Sequence, residues 1–424
     1  MTGPTGDDVL DVVAIGAGPA NLSLAALAST VPRLRLAVLE AQPRLTWHEG
    51  MLPRRAYLQV SPLKDLVTLV DPTNPFSFLN FLARHGRLYR ALISHRYRVT
   101  RQEFAQYYAW VCASLPAVRT GVRVEDVDHD GECFVVTAGG RRLRSRHLVA
   151  GVGREPSVPD AARELLGDDV FHTSAYSLAD RVWTGRRVLL VGGGQSGAEV
   201  FLDLLDGAGP AAVTWVTTRT GLRPLDDSPF TNELFNPRYT EFFTRLGDAA
   251  RAGLLRDHLL ASDGVSEDLL GEIYARLYDN DYTAERPLRH AVLASTRLVG
   301  LRRYEGAYRA TVRSELTGRH TEIDGDVVVL ATGYCRRGPR LLRRLTGDED
   351  LPVATADYSV PLDGIKPGKL FVQNAARSSH GLADSNLALV PWRSATILNA
   401  VLEQEHFATR PGDATGDPAT GHLP

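Results

Sequence analysis

Short apolar runs alternate with a glycine-containing turn and helical periodicity at the start of the chain. The run VLDVVAIG (9–16) predicts a buried strand, and LSLAALAS (22–29) has the apolar spacing of a helix. A second apolar run, LRLAVLE (34–40), ends at Glu40. Strand, tight turn, helix and strand in this order predict a βαβ unit with parallel strands.

The same pattern recurs in the middle of the chain. RRVLLVGGGQSGAEVFLDLL (186–205) predicts strand, turn and helix, and AVTWVTT (212–218) predicts the next strand. Its turn carries the full G-x-G-x-x-G spacing, through Gly192, Gly194 and Gly197. The first turn is less regular, since Asn21 replaces the third glycine after Gly16, Gly18 and Pro19.

Both turns are typical of dinucleotide binding, because glycines let the backbone approach a pyrophosphate that the following helix N-terminus stabilises. Glu40 lies about 20 residues after the first turn, where an acid holds ribose hydroxyls. The second unit has no such acid, and Arg219, with Arg223, is predicted to pair with a 2′-phosphate. Gln195 and Ser196 are expected to contact the phosphates there. The sequence therefore predicts one FAD site and one NADPH site.

A third apolar strand, GDVVVLATGY (325–334), is expected to return the chain to the FAD domain, with HLVAGVGREPSVP (147–159) as its partner on the outward crossing. Thr332 and Gly333 are expected to approach FAD through backbone groups. The predicted fold class is α/β, with two dinucleotide-binding, Rossmann-like domains. The expected divisions are an FAD-binding part at 9–178, an inserted NADPH-binding domain at 179–324 with a helical substrate segment at about 226–290, a returning FAD-binding part at 325–403, and a disordered tail at 404–424.

Composition narrows the possible partners. The 424 residues carry a formal net charge of −2, so no global basic field favours nucleic acid. The apolar stretch at 12–28 is interrupted by polar residues and glycines, so no membrane span is expected. Three scattered cysteines cannot form a disulfide framework or a paired redox motif, which favours a cytoplasmic location.

Several further blocks are shared with one enzyme family. They include IGAGPANLSLA, WHEGML (47–52), LKDL (63–66), DPTNPFSFLNFL, VTRQEFAQYYAW, VGGGQSGAEVFL, DDSPFTNELFNPRY, ATGY and QNAARSSHGLADSNLALVPWRSATIL. With these blocks the chain resembles the N-hydroxylating flavin monooxygenases, the lysine N6- and ornithine N5-hydroxylases, from about Asp11 to Val401.

The resemblance implies a reaction in which NADPH reduces FAD and O₂ then forms a C4a-hydroperoxyflavin. A neutral terminal amine takes the distal oxygen, giving a hydroxylamine for a siderophore or a related N–O or N–N natural product. The cofactor carries the difficult step, so no covalent side-chain catalyst and no metal are expected. The expected partners are a small-molecule amine, O₂ and further copies of the chain.

The resemblance also assigns binding residues. Lys64 would pair with the substrate α-carboxylate, and Asn232 would bind the substrate backbone and support the nicotinamide. Leu387 would contact substrate, and the residues expected near FAD are Gln59, Trp47, His48, Asp384 and Asn386. Considered alone, Lys64 is also compatible with a solvated lysine or a pair with Asp65, and Asn232 with a turn or cap.

The acidic pair Asp226 and Asp227 is expected to cap or turn the chain before the helical segment, although one carboxylate could attract an amine cation.

The segment SDGVSEDLL (262–270) resembles the lysine enzymes, and the asparagine typical of ornithine enzymes is missing around Ala261. L-lysine is therefore the expected substrate, with L-ornithine or a diamine such as cadaverine or putrescine as the alternative. Sulfide- and ketone-oxidising flavoproteins carry a linker motif F-x-G-x-x-x-H-x-x-x-[YW]. His172 and Tyr176 match its second half, but Asp168 stands where the glycine is expected, so this class is disfavoured. A disulfide reductase would need paired cysteines, and a non-enzymatic flavin module would not need both glycine turns.

Overall fold

The computed structural model describes residues 9–51, 57–58, 61–94, 99–178, 181–207, 209–335, 340–346, 351–366 and 368–409. Within these ranges the strands are β1 (Leu10–Ile15), β2 (Leu36–Leu39), β3 (Val118–Arg119), β4 (Val124–His129), β5 (Phe134–Ala138), β6 (Arg141–Ala150), β7 (Val170–His172), β8 (Arg187–Val191), β9 (Ala212–Val216), β10 (Arg289–Leu293), β11 (Thr296–Tyr304), β12 (Ala307–Ser314), β13 (His320–Gly325), β14 (Val327–Leu330), β15 (Ser359–Val360) and β16 (Leu370–Val372). The α-helices are α1 (Pro19–Ala28), α2 (Phe78–Arg84), α3 (Leu88–Ile93), α4 (Arg101–Ser114), α5 (Gln195–Asp206), α6 (Pro229–Asn232), α7 (Pro237–Thr244), α8 (Asp248–Asp257), α9 (Leu260–Asp263), α10 (Glu267–Tyr282), α11 (Arg343–Thr346), α12 (Arg377–His380) and α13 (Val390–Leu402).

The first sheet has the strand order β15-β16-β6-β1-β2-β3, with the β4–β5 hairpin attached to β6. Strands β16, β6, β1, β2 and β3 run parallel, which places their carboxyl ends at one edge. Helix α1 is buried from Ala20 to Ala28 and packs between this sheet and helices α4 and α13. A helix that is apolar on every side needs such an enclosed position.

The second sheet has the order β10-β9-β8-β14-β7, and all its neighbouring strands are parallel. A three-stranded antiparallel sheet, β11-β12-β13, packs beside it through Leu298, Ala310 and Val312. The two parallel sheets confirm the predicted α/β class with two Rossmann-like units.

The expected divisions at 178 and 325 need correction. Strand β7 lies in the second sheet although it precedes 179, and β14 lies there although it follows 325. The register explains both, because β14 is paired with β8 on one side and β7 on the other. The chain therefore returns to the first sheet after Leu330 rather than at 325.

The two crossing segments meet, as the sequence suggests. Ser157 donates its backbone N–H to the carbonyl of Gly333, and Cys335 donates to the carbonyl of Glu155. Helices α6–α10 fill the expected helical segment, and they lie between β9 and β10 along the chain.

The tail expected at 404–424 is ordered in its first part. Asn399 Oδ1 accepts the N–H groups of His406 and Phe407, and Trp392 donates its indole N–H to the carbonyl of Thr409. The remaining part of that expectation, 410–424, lies outside the described residues. No helix in the described ranges combines the length and the apolar character needed to cross a membrane.

Candidate functional site

The first glycine turn joins β1 to α1 with backbone geometry that only glycine adopts easily. Gly16 has φ +87°, and a Cβ there would lie 2.6 Å from the carbonyl oxygen of Gly151. Gly18 is the N-cap of α1, with Pro19 in the first turn and no capping side chain. A Cβ on Gly18 would meet nothing within 4 Å. The first amides of α1 are thus left for an external acceptor, as a pyrophosphate site requires.

Asn21 explains why the third glycine is absent from this turn. It is fully buried, and its Nδ2 donates to the carbonyls of Ile15 at 3.0 Å and Gly16 at 2.8 Å. Its side chain fills the space beside Gly151, where a Cβ would lie 2.5 Å from Nδ2. Asn21 therefore stabilises the turn through hydrogen bonds instead of through close helix–strand packing. The prediction that it contacts FAD stays a prediction.

Glu40 lies just after β2 and beside the turn. Its carboxylate accepts the backbone N–H of Ala17 at 2.8 Å and that of Gln42 at 2.8 Å. Glu40 and Gly16 line a cleft of about 710 Å³ together with residues of both crossing segments. This volume lies within the range of small-molecule pockets. The cleft, the free helix terminus and the acid fit the adenosine half of FAD.

Where the two crossing segments meet, Thr332 and Gly333 are hydrogen-bonded to Ser157 of the outward segment. The Thr332 hydroxyl donates to the carbonyl of Ser157, and Gly333, with φ +73°, accepts from the Ser157 N–H. These bonds fix the segment that lies between the two sheets. Contacts of these two residues with FAD stay a prediction.

The second glycine turn is more crowded than the first. A Cβ on Gly192 would lie 2.1 Å from the carbonyl oxygen of Ala331, and one on Gly197 would lie 2.3 Å from that of Gly192. Gly194 is the N-cap of α5, again without a capping side chain. Close backbone packing therefore requires glycine at 192 and 197, whereas a Cβ on Gly194 would meet nothing within 4 Å.

Gln195 has a role that the sequence did not indicate. Its Nε2 donates to Glu199 at 2.9 Å, and its Oε1 accepts the N–H of Ser266, the N-cap of α10. The side chain is therefore committed to the protein, so only the backbone N–H of Gln195, at the start of α5, is left for a phosphate, and that contact stays a prediction. The neighbouring Ser196 hydroxyl makes no hydrogen bond with a described residue.

Arg219 follows β9, where the sequence predicts recognition of a 2′-phosphate. Its Nη1 is buried and has no hydrogen-bond partner among the described residues. A buried guanidinium donor without a partner is costly, and a bound anion would satisfy it. Arg223 is exposed, and only its backbone carbonyl makes a described bond, from the N–H of Val265. The fit to a phosphate is thus carried by Arg219.

A separate cavity of about 350 Å³ lies between the first sheet's loops and the helical segment. It brings together three residues predicted for the site, Lys64, Asn232 and Asn386. Lys64 is half-buried, and burial lowers its pKa from the ordinary value. Its ammonium group makes no hydrogen bond or ion pair with the residues that the structure describes. Such a cation favours an anionic ligand.

Three predicted site residues need comment, two of them expected to contact substrate and one expected near FAD. The Asn232 side chain donates to the carbonyls of Asp227 at 2.8 Å and Ser228 at 3.2 Å, so its Oδ1 is the group left for a ligand. Asn386 lines the cavity and also caps the following turn, since its Oδ1 accepts the N–H of Ala388. Leu387 packs against the core of the first sheet and is not among the residues that line the cavity, and its contact with substrate stays a prediction.

The expected contact of Asp384 with FAD needs correction. Its carboxylate is fully buried, 3.0 Å from the guanidinium of the equally buried Arg393, and it accepts the N–H of Ala376. A side chain with no exposed surface cannot reach FAD in this structure. Arg393 also donates to Gln373, which donates in turn to Asn21, so this ion pair supports the first glycine turn. The sequence offered no signal for this chain of bonds.

Trp47 packs its indole edge against Tyr108, with ring centroids 5.0 Å apart, and also contacts Phe104. His48 lies against Trp47 and has φ +52°, a rare conformation for a residue other than glycine. Their contact with FAD stays a prediction. Gln59 lies outside the described residues.

The sequence reasoning missed an ion pair that joins the two units. Arg101, in α4, donates to both oxygens of Glu199, in α5, at 2.8 and 3.0 Å. The side chains are only 17% and 8% exposed. Both residues stand in the shared blocks VTRQEF and GAEVF, but nothing in either block indicates the partner.

Comparisons with known proteins agree with this architecture. The family model described as L-lysine 6-monooxygenase/L-ornithine 5-monooxygenase matches residues 8–336. The L-lysine N6-monooxygenase of Escherichia coli is 33% identical over 407 residues, covering 94% of this chain and 96% of the relative.

Solved structures show the same likeness. The cadaverine monooxygenase of the desferrioxamine pathway from Erwinia amylovora, bound to FAD, has a TM-score of 0.89 at 28% identity and covers 97% of this chain and 98% of its own. The ornithine N-hydroxylase of Kutzneria sp. 744, with reduced FAD, NADP⁺ and L-ornithine, has a TM-score of 0.86 at 30% identity and covers 93% and 99%. The predicted cofactors, FAD and NADPH, are of the kinds these relatives carry. The chain therefore belongs to the L-lysine 6-monooxygenase/L-ornithine 5-monooxygenase family, as the shared blocks indicated.

Proposed function

We propose that this protein hydroxylates the terminal amine of L-lysine, with FAD at the first glycine turn and NADPH at the second. The N6-hydroxylamine would then enter a hydroxamate siderophore or a related N–O or N–N product. The observation that carries the proposal is the Lys64 ammonium, which has no partner among the described residues and lies in a cavity that Asn232 also lines. An amino acid supplies the carboxylate that this cation lacks, whereas a diamine would bring a second positive charge.

The chain's own groups support the assignment of the cofactors. Gly16, Gly18 and Glu40 form the cradle and the ribose acceptor at the first turn, and Gly192, Gly194 and Arg219 form their counterparts at the second. Bound together, the two cofactors would supply hydride transfer and the activation of O₂. The protein must hold the amine beside the flavin and exclude water there.

Ala261 supports the longer substrate, L-lysine, over L-ornithine. This small buried residue lines the cavity at the place where the ornithine enzymes are expected to carry an asparagine. A smaller side chain leaves room for one further methylene group, which favours lysine over ornithine. One methylene is worth only about 1–3 kcal/mol, so the preference is one of degree.

A diamine is the second candidate, because the cadaverine enzyme from Erwinia amylovora shares the fold at a TM-score of 0.89. The test is product analysis by mass spectrometry with NADPH, air and one of L-lysine, L-ornithine, cadaverine or putrescine. The expected result is N6-hydroxylysine as the product formed with the highest kcat/KM. A higher value for cadaverine would overturn the proposal, and NADPH oxidation that yields only hydrogen peroxide would refute N-hydroxylation.

A further inference from the structure

We infer that the cavity holds both charges of an α-amino acid, and that Asp227 is the partner of the α-ammonium group. The inference rests on the proposed function and adds to it a specificity-determining residue. It also predicts that the enzyme distinguishes an amino acid from an ω-amino acid that lacks the α-amino group.

Asp227 stands in a segment that the helical region holds in place. The N–H groups of Leu225 and Asp226 donate to the carbonyls of Val265 and Leu260. A Cβ on Gly264 would lie 2.3 Å from the Cα of Leu225, so the segments around these two residues are in close backbone contact. Asp227 therefore lines the cavity from a backbone that is fixed on both sides.

The two acids of the pair differ in their commitments. Asp226 Oδ1 accepts the hydroxyl of Thr231 at 2.7 Å, as expected of a residue that organises the start of α6. The Asp227 side chain has no hydrogen bond or ion pair with a described residue, and only its backbone carbonyl is used, by Asn232. Asp227 is thus the carboxylate of the pair that is available to a ligand.

Asn232 adds a second acceptor. The amide nitrogen of Asn232 already donates to two backbone carbonyls, so the side chain can bind a ligand only as an acceptor, through Oδ1. The cavity then offers one cation, Lys64, together with a neutral acceptor and two carboxylates, of which Asp226 is engaged with Thr231 and Asp227 is not. An α-ammonium group has three donors and one positive charge, and an α-carboxylate accepts from Lys64. The zwitterionic head group therefore matches all three side chains.

The other candidate ligands leave a charge unmatched. Cadaverine would leave Lys64 without an anion, and 6-aminohexanoate would leave Asp227 without a cation. The half-buried Lys64 charge opposes binding when it has no partner, whereas the exposed Asp227 carboxylate only loses the attraction that a cation would give.

The experiment compares L-lysine with 6-aminohexanoate, using FAD-loaded wild-type enzyme and Asp227→Asn, which keeps the shape and removes the charge. Wild type should prefer L-lysine in kcat/KM by roughly tenfold or more. In Asp227→Asn the KM for L-lysine should rise until that preference is lost, while 6-aminohexanoate is unaffected. Asp248→Asn, which removes an exposed acid of α8 from the same helical segment, is the matched control and should keep the preference.

Equal use of both compounds by wild type, an equal loss with both in Asp227→Asn, or no change in that variant would each overturn the inference. Calorimetric titration of both compounds into the NADP⁺-bound enzyme gives the same ratio without turnover. If wild type binds L-lysine in preference but forms no N6-hydroxylysine, the proposed function fails while the head-group assignment stands. If it binds neither compound, the head-group assignment fails. L-ornithine and 5-aminopentanoate repeat the comparison at the shorter length.

Discussion

Lys64 and Arg219 are two cations for which the described residues provide no anionic partner. Lys64 lies in the cavity beside the helical segment, and Arg219 lies after β9. Natural proteins rarely bury charge without compensation, and such groups concentrate at binding sites. We therefore expect both residues to gain their partners from ligands, one a carboxylate and the other a phosphate.

Replacing Lys64 by alanine should weaken the use of L-lysine selectively. Loss of a partly desolvated pair with a carboxylate corresponds to about 2 kcal/mol, or about 30-fold in kcat/KM. The value for cadaverine should fall by less than about threefold or rise, because that substrate has no carboxylate. Steady-state kinetics with quantified hydroxylamine measure both. Equal losses with the two amines would remove Lys64 from carboxylate recognition.

The pH dependence of the same residue has a defined sign. Burial lowers the Lys64 pKa below its ordinary value of 10.5 in the free enzyme, so the ammonium group loses its proton at a lower pH than it would in water. KM for L-lysine should therefore rise at alkaline pH, starting below 10.5. In Lys64→Arg, whose guanidinium stays charged, that rise should be smaller, because only loss of the proton from the substrate's own α-ammonium group then contributes to it. An alkaline rise equal to that of the wild type would exclude Lys64 as a cause.

Replacing Arg219 by alanine should affect NADPH far more than NADH. A charge-assisted contact with the 2′-phosphate is worth about 1.5–3 kcal/mol, which corresponds to about a 10- to 100-fold rise in KM for NADPH. NADH lacks this phosphate, so its KM should stay nearly constant. Arg223→Ala, at the exposed arginine of the same region, provides the comparison. Parallel changes for both nucleotides in Arg219→Ala would contradict the assignment.

At the scale of single elements, the first glycine turn shows how a consensus can be replaced by another solution. Asn21 occupies the place of a glycine and bonds the backbone of the turn through Ile15 and Gly16. Gln373 donates to Asn21 and accepts from Arg393, and Arg393 forms a buried ion pair with Asp384, so this chain of bonds also supports the turn. The structure of this turn thus depends on side chains far away in sequence.

Restoring the consensus with Asn21→Gly should damage the site. The change removes two buried hydrogen bonds to carbonyls, at a cost of about 2 kcal/mol, and frees the turn that approaches the pyrophosphate. We expect weaker flavin retention and a lower Tm, which absorbance of the desalted protein and thermal unfolding would measure. Flavin retention equal to that of the wild type would show that the side chain is dispensable.

The sequence was informative where an element's chemistry is local. Periodicity and glycine spacing predict β1, α1, β8 and α5, because those signals come from the residues that form each element. Assignment of β7 and β14 to a sheet depends on partners that are distant in sequence, and β7 has only three residues. Shared blocks located Lys64 and Asn232 at one cavity, but they could not show that Asp384 faces Arg393 or that Gln195 bonds Ser266.

At the scale of the whole molecule, the bidentate pair of Arg101 and Glu199 connects the two nucleotide-binding units. Gln195 bonds Glu199 and extends the connection to Ser266 at the start of α10. One network therefore links the first unit, the second glycine turn and the helical segment that forms part of the cavity. It is suited to hold these three parts in register.

Glu199→Gln should destabilise the protein, because Arg101 then keeps a largely buried positive charge without its carboxylate. Removal of one member of a buried ion pair costs about 3–5 kcal/mol, because the remaining charge is uncompensated. Combining it with Arg101→Met should recover part of the loss. Thermal unfolding of the two single variants and the double variant measures the coupling. Additive losses in the double variant would show that the pair is not coupled.

The contact between Asn21 and Gly151 also has a consequence for the protein's descent. Gly151 does not have a positive φ, and the three atoms nearest to a Cβ there all belong to the amide of Asn21, so that amide rather than backbone strain opposes a side chain. A lineage that acquires alanine at position 151 must first, or at once, shorten the side chain at position 21. The two sites should consequently co-vary across homologues, and a tolerated Gly151→Ala should be found only in backgrounds that have already lost the asparagine.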